Sequence, residues 1–316
     1  EAKSLAECSC QIVRCCPKYC CLLGVPMIQF MSVWKRRIAK KEILLAMMIA
    51  LVLMFISYGV RASPEIATYF EIKNGTHFSV QQLPGVLSEE AAARTREDYL
   101  TVAASQAFSF YIFMSNGFAL FHLGANILIV FPVLSFFDER KNGHLQLAML
   151  RYHSWNYIAQ EAVATALTSM LVVLLPSVVY WLLAAVVAPA NFPLSQNFGP
   201  FSDDFFQVLG QPQNAKLLFG LLILLNSILY LSKAFLAFSA ALFVERKAVL
   251  LFVPLAFSYA AYILFSALGI PAYGLLSHFD EHMKTLMPLF TSALIPLIVA
   301  SALLMIVCKK ERILHA

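Results

Sequence analysis

The sequence predicts an all-α membrane protein with six transmembrane helices, both termini cytoplasmic, and an amphipathic interfacial helix ahead of the first span. Three observations carry this prediction. Of 316 residues, 60% are hydrophobic and 13% charged, whereas about a quarter of the residues in an average soluble domain are charged. The apolar residues gather into six runs that can cross a hydrocarbon core of about 30 Å, a distance that takes about 20 residues of helix. Basic residues then divide unevenly between the two sides these runs define. Of the 23 Lys and Arg, sixteen fall before the first run, in the second and fourth connectors and in the tail; six fall in the other connectors, and Lys233 lies within a run. Basic residues are retained in the cytoplasm, which places both ends there.

Residues 1–23 form a cysteine-rich leader holding six of the seven cysteines, at positions 8, 10, 15, 16, 20 and 21. In a reducing cytoplasm these thiols are expected to stay reduced rather than form a disulfide framework. Cys8, Cys10, Cys15 and Cys16 are the candidate metal ligands, because closely spaced thiolates suit zinc. Their CxC and CC spacing does not match a paired CxxC site, so no metal is expected. The leader lacks the apolar core and small-residue cleavage site of a secretory signal, and it is expected to be retained.

Residues 24–42 interleave Met27, Ile28, Phe30, Met31, Val33 and Trp34 with Lys35, Arg36, Arg37, Lys40 and Lys41. An apolar face ending in a basic cluster fits a helix lying on an anionic leaflet. It equally fits a first helix turn anchored at the interface by Trp and Lys.

The remainder, 43–316, is expected to be one six-span domain. The first span covers 43–60, followed by an outer loop over 61–105 that holds Pro64, Asn74-Gly75-Thr76 and a mixed-charge run over 89–98. The second span, 108–136, carries Asn116, Gly117, His122, Gly124 and Asn126. A charged inner connector over 137–158 leads to the third span, 162–187, where Pro176 predicts a kink compensated by neighbouring helices. The fourth span, 217–244, contains Lys233; a short turn leads to the fifth, 248–268, and the sixth runs over 286–307 before Lys309, Lys310 and Arg312.

Lys233 would cost about 2.5–3.5 kcal/mol at a helix centre, so it is expected either to meet a partner or a transport path, or to snorkel to the interface. His122, Asn116 and Asn126 are expected as interhelical hydrogen-bonding groups, with a place along a translocation path as the second reading. Glu161 is expected to pair with Arg151 or Lys141.

The connector reads Phe137-Asp138-Glu139-Arg140-Lys141-Asn142-Gly143, then Leu145, Leu147 and Arg151. Together with the span count and the basic lead-in, it resembles the type-2 ABC transporter permeases. In that family the connector forms a coupling helix that docks on an ATPase subunit. The resemblance implies coupling through Asp138, Glu139, Arg140, Gly143, Leu147 and Arg151. It also implies a permease subunit of an exporter in the plasma membrane, with a second copy or homologue completing the path. ATP and Mg would bind a partner ATPase, since the chain contains no GxxxxGK[ST] phosphate loop. The sequence departs from the family pattern at His144, Tyr152-His153 and Gln160-Glu161. The apolar spans favour a hydrophobic or amphipathic cargo such as a peptide, lipid or drug, with membrane lipid as a further partner and no nucleic acid.

Two alternatives stay open. Glu89 to Arg94 fits EExxxR, Phe118 to His122 fits FxxxH and His122 to Asn126 fits HxxxN, patterns of intramembrane metal-dependent proteases. The acidic pair lies in a polar loop, however, and one His serves both patterns; a serine-type protease would need a GxSG nucleophile that the chain lacks. The other alternative is a membrane scaffold or sensor that transports nothing.

Overall fold

The computed structural model describes residues 21–74, 100–101, 103–104, 107–143, 154–188, 215–269 and 287–314. Among them the chain forms helices and no strands: α1 (Cys21–Ile38), α2 (Lys41–Asn74), α3 (Phe110–Leu128), α4 (Phe131–Lys141), α5 (Ser154–Val187), α6 (Ala215–Ala241), α7 (Lys247–Ala267) and α8 (Met287–Leu314). Five stretches are long and apolar enough to cross a membrane, namely Lys41–Asn74, Ile112–Lys141, Tyr157–Val187, Lys216–Ala241 and Lys247–Ala267. The apolar stretch Thr291–Ile306 of α8 is shorter. The protein is therefore all-helical with the make-up of a multi-pass membrane protein. The cysteine leader up to Cys20, with Cys8, Cys10, Cys15 and Cys16, lies outside the described residues.

The first helix outruns its expected span. It continues to Asn74, so residues 61–74 of the anticipated outer loop are helical. Pro64 is the reason to expect a break, since it cannot donate to the carbonyl of Val60. Ser63 Oγ donates to that carbonyl instead, at 2.9 Å, and the helix carries on.

The second span breaks where continuity was expected. Helix α3 ends at Leu128 and α4 starts at Phe131 with Pro132 in its first turn. A proline tolerates that position and disrupts a helix interior. The carbonyl of Ile129, at the break, accepts Ser169 Oγ of α5 at 2.7 Å. Helix α4 runs on through the opening of the charged connector and stops at Gly143, whose φ of 74° favours a residue without Cβ. Helix α5 begins at Ser154, ahead of the expected start at 162, so Tyr157 and Glu161 are helical.

Helices α3, α4 and α6 are the most enclosed, with α2, α5, α7 and α8 packed around them. Membrane helices gain little from apolar burial against one another, because lipid is equally apolar; close approach and polar contacts hold them together. Small residues supply the approach: Ala162, Ala164, Ala166, Ala234, Ala237 and Ala241 are all buried. Buried hydroxyls bond within their own helices, as Thr168 does to Ala164, Ser227 to Ile223 and Ser239 to Phe235. This satisfies polar groups that have no water to turn to. The outer faces remain apolar, with Leu44, Met48, Val52 and Ile56 of α2 and Phe252, Ile263 and Leu264 of α7 exposed.

At one end of the bundle Trp181 Nε1 donates to the Lys216 carbonyl at 3.0 Å, joining the end of α5 to the start of α6. The ends of α1, α4 and α6 and the starts of α2, α5 and α7 meet at the opposite end. Most of the described charged residues lie there.

Candidate functional site

Arg37 and Val33, one helical turn apart on α1, are both buried on the side facing the bundle. The basic cluster of α1 is therefore not simply displayed to a leaflet. The Arg37 guanidinium donates from Nε (3.1 Å) and Nη2 (2.7 Å) to Glu161, from Nη2 to Glu139 (2.7 Å) and from Nη1 to Ser135 Oγ (2.7 Å). Arg36 Nη2 donates to the other oxygen of Glu161 at 2.6 Å, and Tyr157, one turn before Glu161 on α5, donates to that same oxygen at 2.8 Å. Lys40 Nζ reaches Glu139 at 3.2 Å and also contacts Ser135 Oγ. A buried charge is tolerated when it is paired and its remaining donors or lone pairs are used, and Arg37 and Glu161 meet that condition together. Burial lowers the pKa of Arg36, but its hydrogen bond with Tyr157 and the carboxylates of Glu161 and Glu139 outweigh that and hold it above its ordinary value.

This arrangement corrects the expectation for Glu161. Among the described residues its charged partners are Arg36 and Arg37, and Lys141 is not one of them. Lys141 instead lies over the Phe137 ring, 5.8 Å from its centroid. Arg151 is outside the described residues, as is Leu147.

Two other residues of the charged connector, Asp138 and Arg140, each hold a neighbouring helix. Asp138 pairs with Lys247 at the start of α7, at 2.6 Å. Arg140 donates to the carbonyl of Ala241 and, at 3.3 Å, to that of Val244. There it caps the open carbonyls at the end of α6, where a cation also complements the helix dipole. Gly143 ends α4.

A second polar cluster lies between α3, α6 and α7. Lys233 is buried on α6, and its Nζ donates to Asn126 Oδ1 at 3.2 Å while lying 5.2 Å from the centre of the Tyr230 ring. Ser258 Oγ of α7 reaches the same Oδ1 at 3.4 Å. Asn126 Nδ2 donates to the carbonyl of His122 at 2.6 Å, and His122 Nδ1 shares a hydrogen bond with Tyr230 Oη at 3.0 Å. Lys233 thus meets a partner within the bundle and does not snorkel. The fold brings together three of the four residues considered for a path: Lys233, His122 and Asn126. Asn116 stands apart, ten residues or about 15 Å up the same helix. Its carbonyl accepts from Ser57 Oγ.

Sequence reasoning passed over Tyr230, Ser258 and Ser135, and it read Arg37 as part of a basic cluster facing a leaflet or anchoring a helix at the interface, where the structure buries it. The available signals were Glu161 inside an otherwise apolar helix, which demands a cation, and Tyr230 three residues before Lys233, on the same face. Among the described residues no group of three His, Cys, Asp or Glu is placed to hold a metal ion. The EExxxR run lies outside them. No protein-family model matches the chain, and neither does a curated protein or a solved structure.

Proposed function

We propose that the chain is the membrane subunit of an ATP-driven exporter. In this reading it has six spans, with α8 as the sixth, and both termini are cytoplasmic in the plasma membrane. The supporting observation is the way residues 138–143 are fastened. Asp138 holds α7, Glu139 holds α1 through Arg37 and Lys40, and Arg140 holds the end of α6. Arg37 carries the linkage on to Glu161 of α5. A push on this short segment would therefore be felt by five helices at once. That is the mechanical requirement for turning nucleotide-driven motion of a partner into a rigid-body shift of the bundle.

ATP and Mg would bind a separate ATPase subunit that contacts the connector from Asp138 to Arg151. A second copy or a homologue would complete the path, because one bundle gives half of a symmetric one. The cargo would be hydrophobic or amphipathic, in keeping with the apolar faces of the spans.

The test is purification from native membranes with ATP turnover as the readout. A phosphate-loop ATPase should co-purify, and Glu139→Gln or Arg140→Met should lower turnover while the complex stays assembled. A chain that purifies without an ATPase, or that cleaves peptides in a His122-dependent way, would sink this function.

A further inference from the structure

The ionic cluster at the end of α1 has two layers. Arg37 and Glu161 form a closed inner layer, with both side chains fully buried. Around them lies an open layer: the Arg36 side chain is 39% exposed, Lys40 30% and Glu139 21%. Across both layers three cations share two carboxylates, which leaves the cluster with excess positive charge. Lys35 and Lys41 are exposed next to it. One turn or two before the cluster, Phe30 and Trp34 of α1 stack at 6.2 Å, a pair of the kind that settles at the level of lipid headgroups.

We propose that this open layer is an exchange site for the phosphate of an anionic lipid. The phosphate would compete with the Glu139 carboxylate for Arg36 and Lys40. Phosphate and carboxylate are both acceptor-only groups that arginine and lysine bind in the same way. The exchange would take Lys40 and Arg36 from Glu139 and leave Arg37 as the remaining tie from α1 to α4, through Glu139 and Ser135, while Arg37 and Glu161 keep α1 joined to α5. Bilayer composition would thereby set how tightly α1 is coupled to the charged connector. This inference rests on the membrane location of the chain and not on its having an ATPase, so its test needs no nucleotide.

The experiment uses the full chain in vesicles of phosphatidylcholine alone or with added phosphatidylglycerol. Spin labels at Met31→Cys on α1 and Asn142→Cys after α4, in a chain whose seven native cysteines are replaced by serine, report the distance between the two elements. A longer population is expected to appear with phosphatidylglycerol. Glu139→Gln should show that population already in neutral vesicles and should not respond further. Arg36→Gln and Lys40→Gln each cut one tie to Glu139 and should show part of that population in neutral vesicles, and the phosphatidylglycerol fraction that half-saturates the remaining change should rise by about fivefold, the effect of one basic residue near an anionic surface. On the unlabelled chain, phosphatidylglycerol retained through delipidation should fall in the same two variants. Identical distances in both lipids would overturn the proposal, as would an unchanged response in Arg36→Gln and Lys40→Gln. An equal shift produced by inorganic phosphate in neutral vesicles would overturn the lipid as its source.

Discussion

Nη2 of Arg37 lies 2.7 Å from a carboxylate oxygen of Glu161, and neither side chain exposes any surface. The two residues are 124 positions apart in the chain, so their contact fixes α1 against α5. Removing one partner leaves the other charge buried with only part of its compensation, Glu161 with Arg36 and Tyr157 or Arg37 with Glu139 and Ser135, so the cost is expected at the lower end of the about 3–5 kcal/mol typical of a broken buried pair. Arg37→Met and Glu161→Gln are each expected to lower the unfolding temperature in detergent sharply. The double variant Arg37→Met/Glu161→Gln should be less unstable than the sum of the two single changes. A fully additive cycle would show that the pair is not coupled.

The ion pair between Asp138 and Lys247 gives the contrasting prediction. Its separation is as short, 2.6 Å, yet the side chains are 47% and 52% exposed. Pairs open to water contribute about 0–1 kcal/mol and weaken with salt. Asp138→Asn should therefore leave the unfolding temperature nearly unchanged. If the proposed function holds, the same change would act on ATP-driven transport, because it unfastens α7 from the connector.

Gly117 of α3 packs directly against the Tyr180 ring of α5. A Cβ there would run into Oη and Cζ of Tyr180. The ring cannot easily withdraw, since its hydroxyl donates to the Phe113 carbonyl at 2.8 Å and its face stacks on Phe113 at 4.8 Å. Gly117→Ala is expected to destabilise by about 1–3 kcal/mol, the usual cost of overpacking a filled core. Gly124→Ala is the control. Its Cβ would meet only the tip of Leu53, and thermal unfolding of the two variants should separate them clearly.

The membrane character and the positions of the helices were legible because a bilayer imposes long apolar runs, and Ile43, Leu217 and Ala248 open their expected spans within two residues of the helix starts. Two local features were not legible. Pro132 was hidden inside an apolar run that reads as one helix, and residues 61–74, Pro64 among them, read as outer loop because the compensating Ser63 bond depends on a rotamer. Lys233 and Asn126 were recognisable as costly residues inside the membrane, but their contact joins residues more than a hundred positions apart, which no local pattern encodes. Arg37 was misassigned for a related reason. A run of basic residues looks the same whether it faces a leaflet or a buried carboxylate, and only the position of Glu161 decides between them.

Asn126 is the hub of the second cluster, and this gives the last prediction. Its Oδ1 accepts from Lys233 of α6 and Ser258 of α7, while its Nδ2 donates to His122 of α3. Asn126→Leu takes an acceptor from a buried ammonium and a second donor from the His122 carbonyl, which keeps its helical N–H. Such losses cost about 1–3 kcal/mol for a neutral group and more for a charged one. Lys233→Met removes the charge itself and keeps most of the volume, a change that is often neutral or stabilising in a well-packed interior. The expected order of unfolding temperature is thus Lys233→Met at or above the parent, and Asn126→Leu well below it. Combining the two should recover part of the loss, because the neighbours are coupled. If Lys233→Met proves the more damaging change, the lysine is holding the bundle together. If it leaves the fold intact but abolishes transport, the costly charge is there for the path.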